Sequence, residues 1–383
     1  MLFRSGTRGS FAKPGATTLR YGGNTSCVEV RSDAGTLIVV DCGTGGHELG
    51  LDLVSRQSVP LHGQMLISHT HWDHIQGIPF FAPFFNPHNV WRIYGPKGLS
   101  QSLRATLAGQ MEHSYFPIAL SQFAATIHYH DLVEGAFSID DVSILTRYLN
   151  HPALTLGYRL EVDGASIAYC CDHEPHSSAL GSGRLPITGI DRRYGDFISG
   201  ADIVIHDAQY TASEYAESKI GWGHSSPEYA VRVCKESGVK RLILTHHDPL
   251  RHDTAIDRIV GELRARLAEE GSPLQVEAAR EGMEIEVRGE PGRLRDRAKT
   301  HFLAETAVSI SSATRPVALY MMDNGMKSIL AEAIGSEGIA LHQVGNTEDL
   351  MRCVLEDHPS LVMIEHAPPH LDALETARAL RRT

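Results

Sequence analysis

Short, continuously apolar runs recur through the first three quarters of the chain, at 37–40, 65–67, 167–169, 203–205 and 242–244. Each ends in Asp, His or Thr. Runs this short, without a helical period, predict strands buried on both faces, and the polar residue just past each run falls at one edge of its sheet. Five such ends predict one shared site. Gly-rich stretches at 6–10, 22–25 and 43–46 predict sharp turns near those ends. Helical spacing predicts helices over 227–236 and 254–270, the second with Asp253 as N-cap and Gly271 just beyond. Residues 283–287 alternate apolar and acidic side chains like a final strand.

Residues 288–315 are charged and lack an apolar period, which predicts a linker between a first domain, 1–287, and a second, 316–383. The second has its own rhythm. Strands are predicted at 317–322, 339–344 and 361–364, alternating with helices at 326–334, 349–356 and 372–380. Three β-α units in so short a segment imply a small parallel sheet.

A chain of 383 residues agrees with more than one domain, and 42% hydrophobic with 21% charged residues excludes wholesale disorder, a collagen-like fibre or a coiled-coil rod. The formal charge is -11 and no Lys/Arg run interrupts it, so no strong nucleic-acid groove is expected. Six cysteines without a C-x-x-C pair are expected to be reduced thiols, as in the cytoplasm. Neither an apolar leader core nor a run of about 18 apolar residues is present, so no membrane association is expected.

The chemistry concentrates at His69-Thr70-His71-Trp72-Asp73-His74, directly after the 65–67 run. Four potential ligands in six residues crowd a turn unless a cation gathers them. Imidazoles with a carboxylate suit Zn, Mn or Fe. Further along come Asn150-His151-Pro152, Cys171-Asp172-His173 and Thr245-His246-His247-Asp248.

This H-x-H-x-D-H motif and the residues that follow it in order resemble the metallo-β-lactamase superfamily over roughly residues 1–287. The resemblance implies an αββα sandwich with the site at one edge of two packed sheets. It also implies two divalent ions, with Zn first among candidates and Mn or Fe open to the same ligands. Through it, His69, His71 and His151 hold one ion, Asp73, His74 and His246 hold the other, and Asp172 bridges them with a water or hydroxide between. A paired site of that kind makes a nucleophile at neutral pH and clamps the oxygens of an anionic ester.

Redox-active di-iron members typically carry glutamate where His71 stands, which disfavours that branch. Gly223-His224-Ser225-Ser226 resembles the Gly-His-Ser-Thr segment of the RNase Z and cyclic-phosphodiesterase branch. There the histidine touches the scissile phosphate or protonates the leaving oxygen, and a carboxylate at the position of Asp207 can orient it. By themselves these residues also allow Ser225 or Ser226 to cap the next helix with His224 exposed, and Asp207 to be a turn residue. The segments 6–10, 21–26 and 68–81 look like bacterial hydrolases of the phosphoribosyl cyclic-phosphate phosphodiesterase type. Arg8 is open to a bidentate phosphate contact or a surface salt bridge. Phe80, Phe81, Phe84, Tyr115 and Phe116 could stack a base or ribose, but most are expected in the core.

The reading is therefore a metal-dependent phosphodiesterase opening a small cyclic nucleotide or cyclic phosphate, with Asp73, His224 and Asp207 in the catalytic machinery and Asp73 doubling as ligand and proton acceptor. No basic insert of the kind a transfer-RNA exosite needs is visible, which ranks a small phosphodiester above RNA. The rivals are an RNase Z-like endonuclease and a non-catalytic metal-binding signalling protein.

Residues 316–383 resemble a truncated, degenerate response-regulator receiver domain of flavodoxin-like order. Met322-Asp323-Asn324 stands at its acidic pocket and Glu365 replaces the acceptor aspartate, so phosphorylation control is not expected. In that order the strand at 361–364 is left as a bare apolar edge, from which pairing with another copy or docking on the first domain is expected, most simply as a homodimer through this module.

Overall fold

Strands buried on both faces need cover on both, and the two main sheets of this protein are stacked to provide it. The computed structural model describes residues 2–3, 6–98, 101–289, 317–320, 341–346, 349–350, 352–354 and 361–364. The first sheet contains β1 (Leu2–Phe3), β2 (Val28–Arg31), β3 (Leu37–Val40), β4 (His62–Leu66), β5 (Val90–Pro96), β6 (Thr126–Leu132) and β14 (Met283–Glu284), in the order β14-β1-β2-β3-β4-β5-β6. The second contains β7 (Gly135–Ile139), β8 (Val142–Tyr148), β9 (Leu156–Val162), β10 (Ala165–Cys170), β11 (Ile203–Asp207), β12 (Arg241–Thr245) and β13 (Gln275–Ala278), in the order β13-β12-β11-β10-β9-β8-β7.

Side-chain alternation shows the layers directly. Along β3, Ile38 and Val40 point into the core between the sheets, with Tyr158, Ile167, Tyr169, Ile205 and Ile243 from the second sheet. Leu37 and Val39 point the other way, against Leu49 and Leu53 of the helix Gly45–Ser55. Along β11 and β12, Val204, Leu242 and Leu244 face outward onto the helices Pro227–Glu236 and Asp253–Glu269. The chain thus forms helix, sheet, sheet and helix layers, and the uninterrupted apolar runs follow from having neighbours on both faces.

Some boundaries differ from the sequence expectation. The last strand stops at Glu284. The helix expected to be capped by Asp253 includes that residue and has His252 at its N-cap. The Asp253 side chain instead accepts from the Arg20 N–H at 2.8 Å and lies 3.6 Å from the Arg8 guanidinium, so a tertiary ion pair has taken the carboxylate from the cap. All six cysteines are buried thiols. Among the described residues no helix is long and apolar enough to cross a membrane.

The chain divides into two compact units, residues 1–300 and 301–383. In the second, β15 (Val317–Tyr320), β16 (Leu341–Val344) and β17 (Leu361–Ile364) form a parallel sheet in the order β16-β15-β17, with a small core of Ala318, Tyr320, Val344, Leu350 and Cys353. The helices expected at 326–334 and 372–380, the pocket at 322–324, Glu365 and residues 290–315 of the expected linker lie outside the described residues.

Candidate metal centre

Parallel strands place their C-terminal ends together, and here those ends carry the histidines and carboxylates. Asp41 follows β3, His69 follows β4, Asp172 follows β10, Asp207 closes β11 and His246 follows β12. His151 arrives from the turn after β8. The backbone is strained at this edge. Of the described non-glycine residues with positive φ, Ser10, Asp41, Asp172 and His246 all belong to it, at φ of 62°, 57°, 61° and 57°. Strain of that kind persists only where surrounding contacts enforce it, and it concentrates at functional sites.

Seven residues singled out as ligands meet here in two groups. His69, His71, His151 and Asp172 bring ligand atoms within 4.8 Å of one another. On the other side, Asp73 Oδ2 lies 3.1 Å from His246 Nε2 and 3.4 Å from His74 Nε2. Asp172 stands between the groups. Its Oδ2 faces His69 Nε2 at 3.4 Å and His151 Nε2 at 3.6 Å, while its Oδ1 faces His246 Nε2 at 3.1 Å and His74 Nε2 at 3.3 Å. Cys171 also borders the second group, but burial, reinforced by Asp172, Asp207 and Asp41, pushes its thiol well up, and Asp73 supplies an anionic oxygen to the same imidazoles.

The partners outside the cluster decide which ring nitrogens face inward. His74 Nδ1 donates to Asp41 at 2.7 Å, His151 Nδ1 donates to the Gly223 carbonyl at 2.9 Å, and His246 Nδ1 donates to Gln209 Oε1 at 3.0 Å. Each of these bonds turns the ring's Nε2 inward, the direction a metal ligand requires. His74 Nε2 and His246 Nε2 then oppose each other at 3.4 Å, and His69 Nε2 and Asp172 Oδ1 are buried without a hydrogen-bond partner. Ring nitrogens and carboxylate oxygens gathered this closely need positive charge between them, as a proton or a metal cation, and this set of donor types fits divalent ions.

The electrostatics agree. Burial holds His69 well below the usual imidazole range and lowers His71 and His151, which keeps all three neutral. Burial alone would raise Asp172 and Asp73, but the histidines around them outweigh it and hold both carboxyls well below the ordinary range. For His74 burial pulls down, yet Asp172, Asp73 and Asp41 together push it well up. A proton at this ring stands in for positive charge that the acids demand.

His224 is 8% exposed, not a free flank of the helix, and its Nδ1 lies 2.6 Å from Asp207 Oδ2. Its ring stacks on His246 at 5.0 Å and meets His151 edge-on at 5.3 Å, so it touches both halves of the cluster. The capping reading holds at the same time for its neighbour, since Ser226 Oγ accepts from the Tyr229 N–H at 3.0 Å. Beyond His224 come Tyr210 at 5.8 Å and then Trp222, 54% exposed, with Lys219 Nζ 3.7 Å from the indole centre. His71 and Trp72 are also exposed, which marks the open side of the site.

Arg8 takes neither role expected of it. It is fully buried, donating to the carbonyls of Gly22 and Arg251 at 2.7 Å and pairing with Asp253, so it ties the N-terminal loop to the 248–253 turn. The aromatics divide: Phe81 and Phe84 are core, while Phe80 and Tyr115 are exposed. Three residues at the site were not given a role from sequence. Asp41 could have been found, because it ends one of the apolar runs; Gln209 and Glu174 carry no sequence signal.

Two stacked sheets with such a cluster at one edge define a class of metal-dependent hydrolase. The family model described as Beta-lactamase superfamily domain matches residues 36–247, over half of the chain, and the chain belongs to that superfamily. Ribonuclease Z of Lactococcus lactis subsp. lactis (strain IL1403) is 27% identical, over 48% of this chain and 70% of the relative. Ribonuclease BN of Cronobacter sakazakii (strain ATCC BAA-894) is 23% identical, over 53% and 76%. Among solved structures, a new diphosphatase from the PhnP family aligns with TM-score 0.51 at 17% identity, covering 76% of this chain and 98% of that one. Zn(2+)-bound PqqB from Methylobacterium extorquens aligns with TM-score 0.50 at 13% identity, covering 75% and 99%. At those identities the structures establish the fold. The superfamily fold implies divalent metal ions, and the protein is a metal-dependent hydrolase.

Proposed function

We propose that the protein is a phosphodiesterase that opens a small cyclic nucleotide or cyclic phosphate. The observation that carries this reading is the buried His224–Asp207 pair at 2.6 Å, set against the ligand cluster. A carboxylate-backed imidazole beside the metals suits a phosphodiester, which needs charge on its oxygens neutralised and its leaving alkoxide protonated. Two divalent ions, Zn, Mn or Fe, would be held by His69, His71, His151 and Asp172 on one side and by Asp73, His74, His246 and Asp172 on the other. When bound, they supply a deprotonated water at neutral pH and a clamp for phosphoryl oxygens.

The remaining work falls to this chain's residues. Asp207 fixes the proton of His224 at Nδ1 and favours the imidazolium, so that Nε2 carries the proton given to the leaving oxygen. Burial pulls His224 down, but Asp207, with Asp172 and Asp73 behind it, pushes it up to about 9. Asp73 Oδ2, held by the Ser10 N–H at 2.7 Å beside His74 and His246, acts as a ligand, since a carboxyl held well below the ordinary range is a weak acceptor for the nucleophile's proton. Trp222 and Lys219 offer an aromatic face and a cation to the group beyond the phosphate.

The names of the ribonuclease relatives favour a second reading, an RNA endonuclease. The net charge of -11 favours the small substrate, because a polyanion is gathered through Lys and Arg. The test is product analysis after incubating Mn- or Zn-loaded protein with 2′,3′- and 3′,5′-cyclic nucleotides, a linear diester and a precursor transfer RNA, with Asp73→Ala as control. Asp73-dependent ring opening supports the first reading; salt-sensitive cleavage of the RNA alone supports the second. For the second unit we propose a receiver-like module, supported by its parallel order, with the middle strand first in sequence.

A further inference from the structure

We propose that Glu174 is a positioning residue that sets three segments of the site in register: the ones carrying Asp172, His151 and His224. Glu174 is 5% exposed, and its carboxylate accepts from three neutral donors. Oε1 takes the Tyr215 hydroxyl at 2.8 Å and the Gly221 N–H at 2.7 Å, and Oε2 takes the Gly223 N–H at 2.7 Å. A buried carboxylate held by neutral donors is costly to desolvate, so its position needs a reason beyond packing.

The geometry supplies that reason. Gly221 and Gly223 lie at φ of 86° and 85°, and their N–H groups converge on one carboxylate, as in the backbone nests that bind anions. A Cβ at Gly223 would overlap the His151 ring and Pro152. The carbonyl of the same Gly223 receives the His151 Nδ1–H at 2.9 Å, and the next residue is His224. The Glu174 backbone meanwhile holds the residue before His151: the Glu174 N–H donates to the Asn150 carbonyl at 2.8 Å, and Asn150 Nδ2 donates to the Glu174 carbonyl at 3.0 Å. Two residues upstream is Asp172. One side chain and its peptide therefore link a bridging carboxylate, an inward-facing imidazole and a proton donor, through hydrogen bonds none of those three makes to the others.

The inference rests on the reading that His151 ligates a metal and His224 acts on the substrate. It is tested on the full chain with Glu174→Gln and Tyr215→Phe, using bis(p-nitrophenyl) phosphate as probe and metal competition as a readout separate from turnover. Gln keeps one acceptor oxygen but turns an NH2 group toward a glycine N–H, whereas Tyr215→Phe removes a donor to the same carboxylate without touching the loop. The expected result for Glu174→Gln is a 10- to 100-fold loss in kcat or metal affinity at little-changed KM. Tyr215→Phe lowers Tm, because a buried carboxylate loses a donor, yet keeps kcat and metal affinity within about twofold of wild type. Equal losses in the two variants, tracking Tm, would reduce Glu174 to a structural role and overturn the proposal. In the wild type, the Gly221 and Gly223 amides should exchange slowly although Gly221 is exposed, and rapid exchange overturns the clamp even if Glu174→Gln fails to fold. Wild-type protein that binds no divalent ion sinks the functional reading as well; normal metal binding and turnover in Glu174→Gln sinks only the positioning role.

Discussion

Asp207 Oδ2 and His224 Nδ1 lie 2.6 Å apart, both buried, and the same carboxylate accepts from the Gln209 N–H at 2.9 Å through its other oxygen. Gln209 in turn receives the proton of His246. The proposed proton donor and one proposed metal ligand are therefore oriented through a common strand end. His224→Ala should leave both ions in place and lower kcat by about 10²- to 10⁴-fold, the range for losing a general acid. Metal analysis beside kinetics checks it; unchanged turnover in His224→Ala would falsify the acid role.

The pH profile should carry the mark of the same pair. His224 is pushed up to about 9 in the metal-free protein, with burial opposed by Asp207. The active form is protonated, so activity is present below this pKa and lost as pH rises through it. Bound cations move the limb to lower pH, but the contribution of Asp207 survives them. Asp207→Asn removes it, so its alkaline limb should lie at lower pH than in wild type with the same metal. An alkaline limb that does not move would assign it to another group.

Metal uptake should release a proton. His74 is driven well up by Asp172, Asp73 and Asp41 against the pull of burial, so in the metal-free chain its Nε2 holds a proton that an ion must displace. Calorimetric titration in buffers of different ionisation enthalpy should give heats that depend on the buffer, and affinity that weakens as pH falls. Chelation should also lower Tm by several degrees, because ions that bind only the folded state stabilise it by roughly 4 kcal/mol at a thousandfold excess over Kd.

Asp41 should matter almost as much as the ligands without being one. It accepts from His74 Nδ1 at 2.7 Å, the Ser68 N–H at 2.7 Å, Ser68 Oγ at 2.8 Å and Tyr169 at 2.7 Å. Asp41→Asn leaves a ring that is no longer forced to turn its lone pair inward. The expected cost is about 10- to 100-fold in metal affinity. Affinity equal to wild type in a competition assay would show that ring packing alone sets the orientation.

Trp222→Ala should raise KM about tenfold for a cyclic nucleotide, the order expected when one base loses an aromatic face, and leave kcat unchanged. For a diester lacking a base the same substitution should change little. An equal effect on both probes would point to a loop defect.

The six-residue run from His69 to His74 was legible because metal chemistry restricts both residue type and local spacing. The strand ends were legible too, because uninterrupted apolar runs such as 37–40 and 203–205 require cover on two faces. Local pattern did not reveal what aims the ligands. His74 depends on a carboxylate 33 positions away, His151 on a carbonyl 72 away and His246 on an amide 37 away. Arg8 reads as a surface or substrate charge, yet the fold closes over it. The physical reason is the same in each case. Ligand identity is a property of the side chain, whereas its tautomer and direction belong to hydrogen-bond partners that meet only when two sheets bury their apolar faces and bring distant strand ends to one edge.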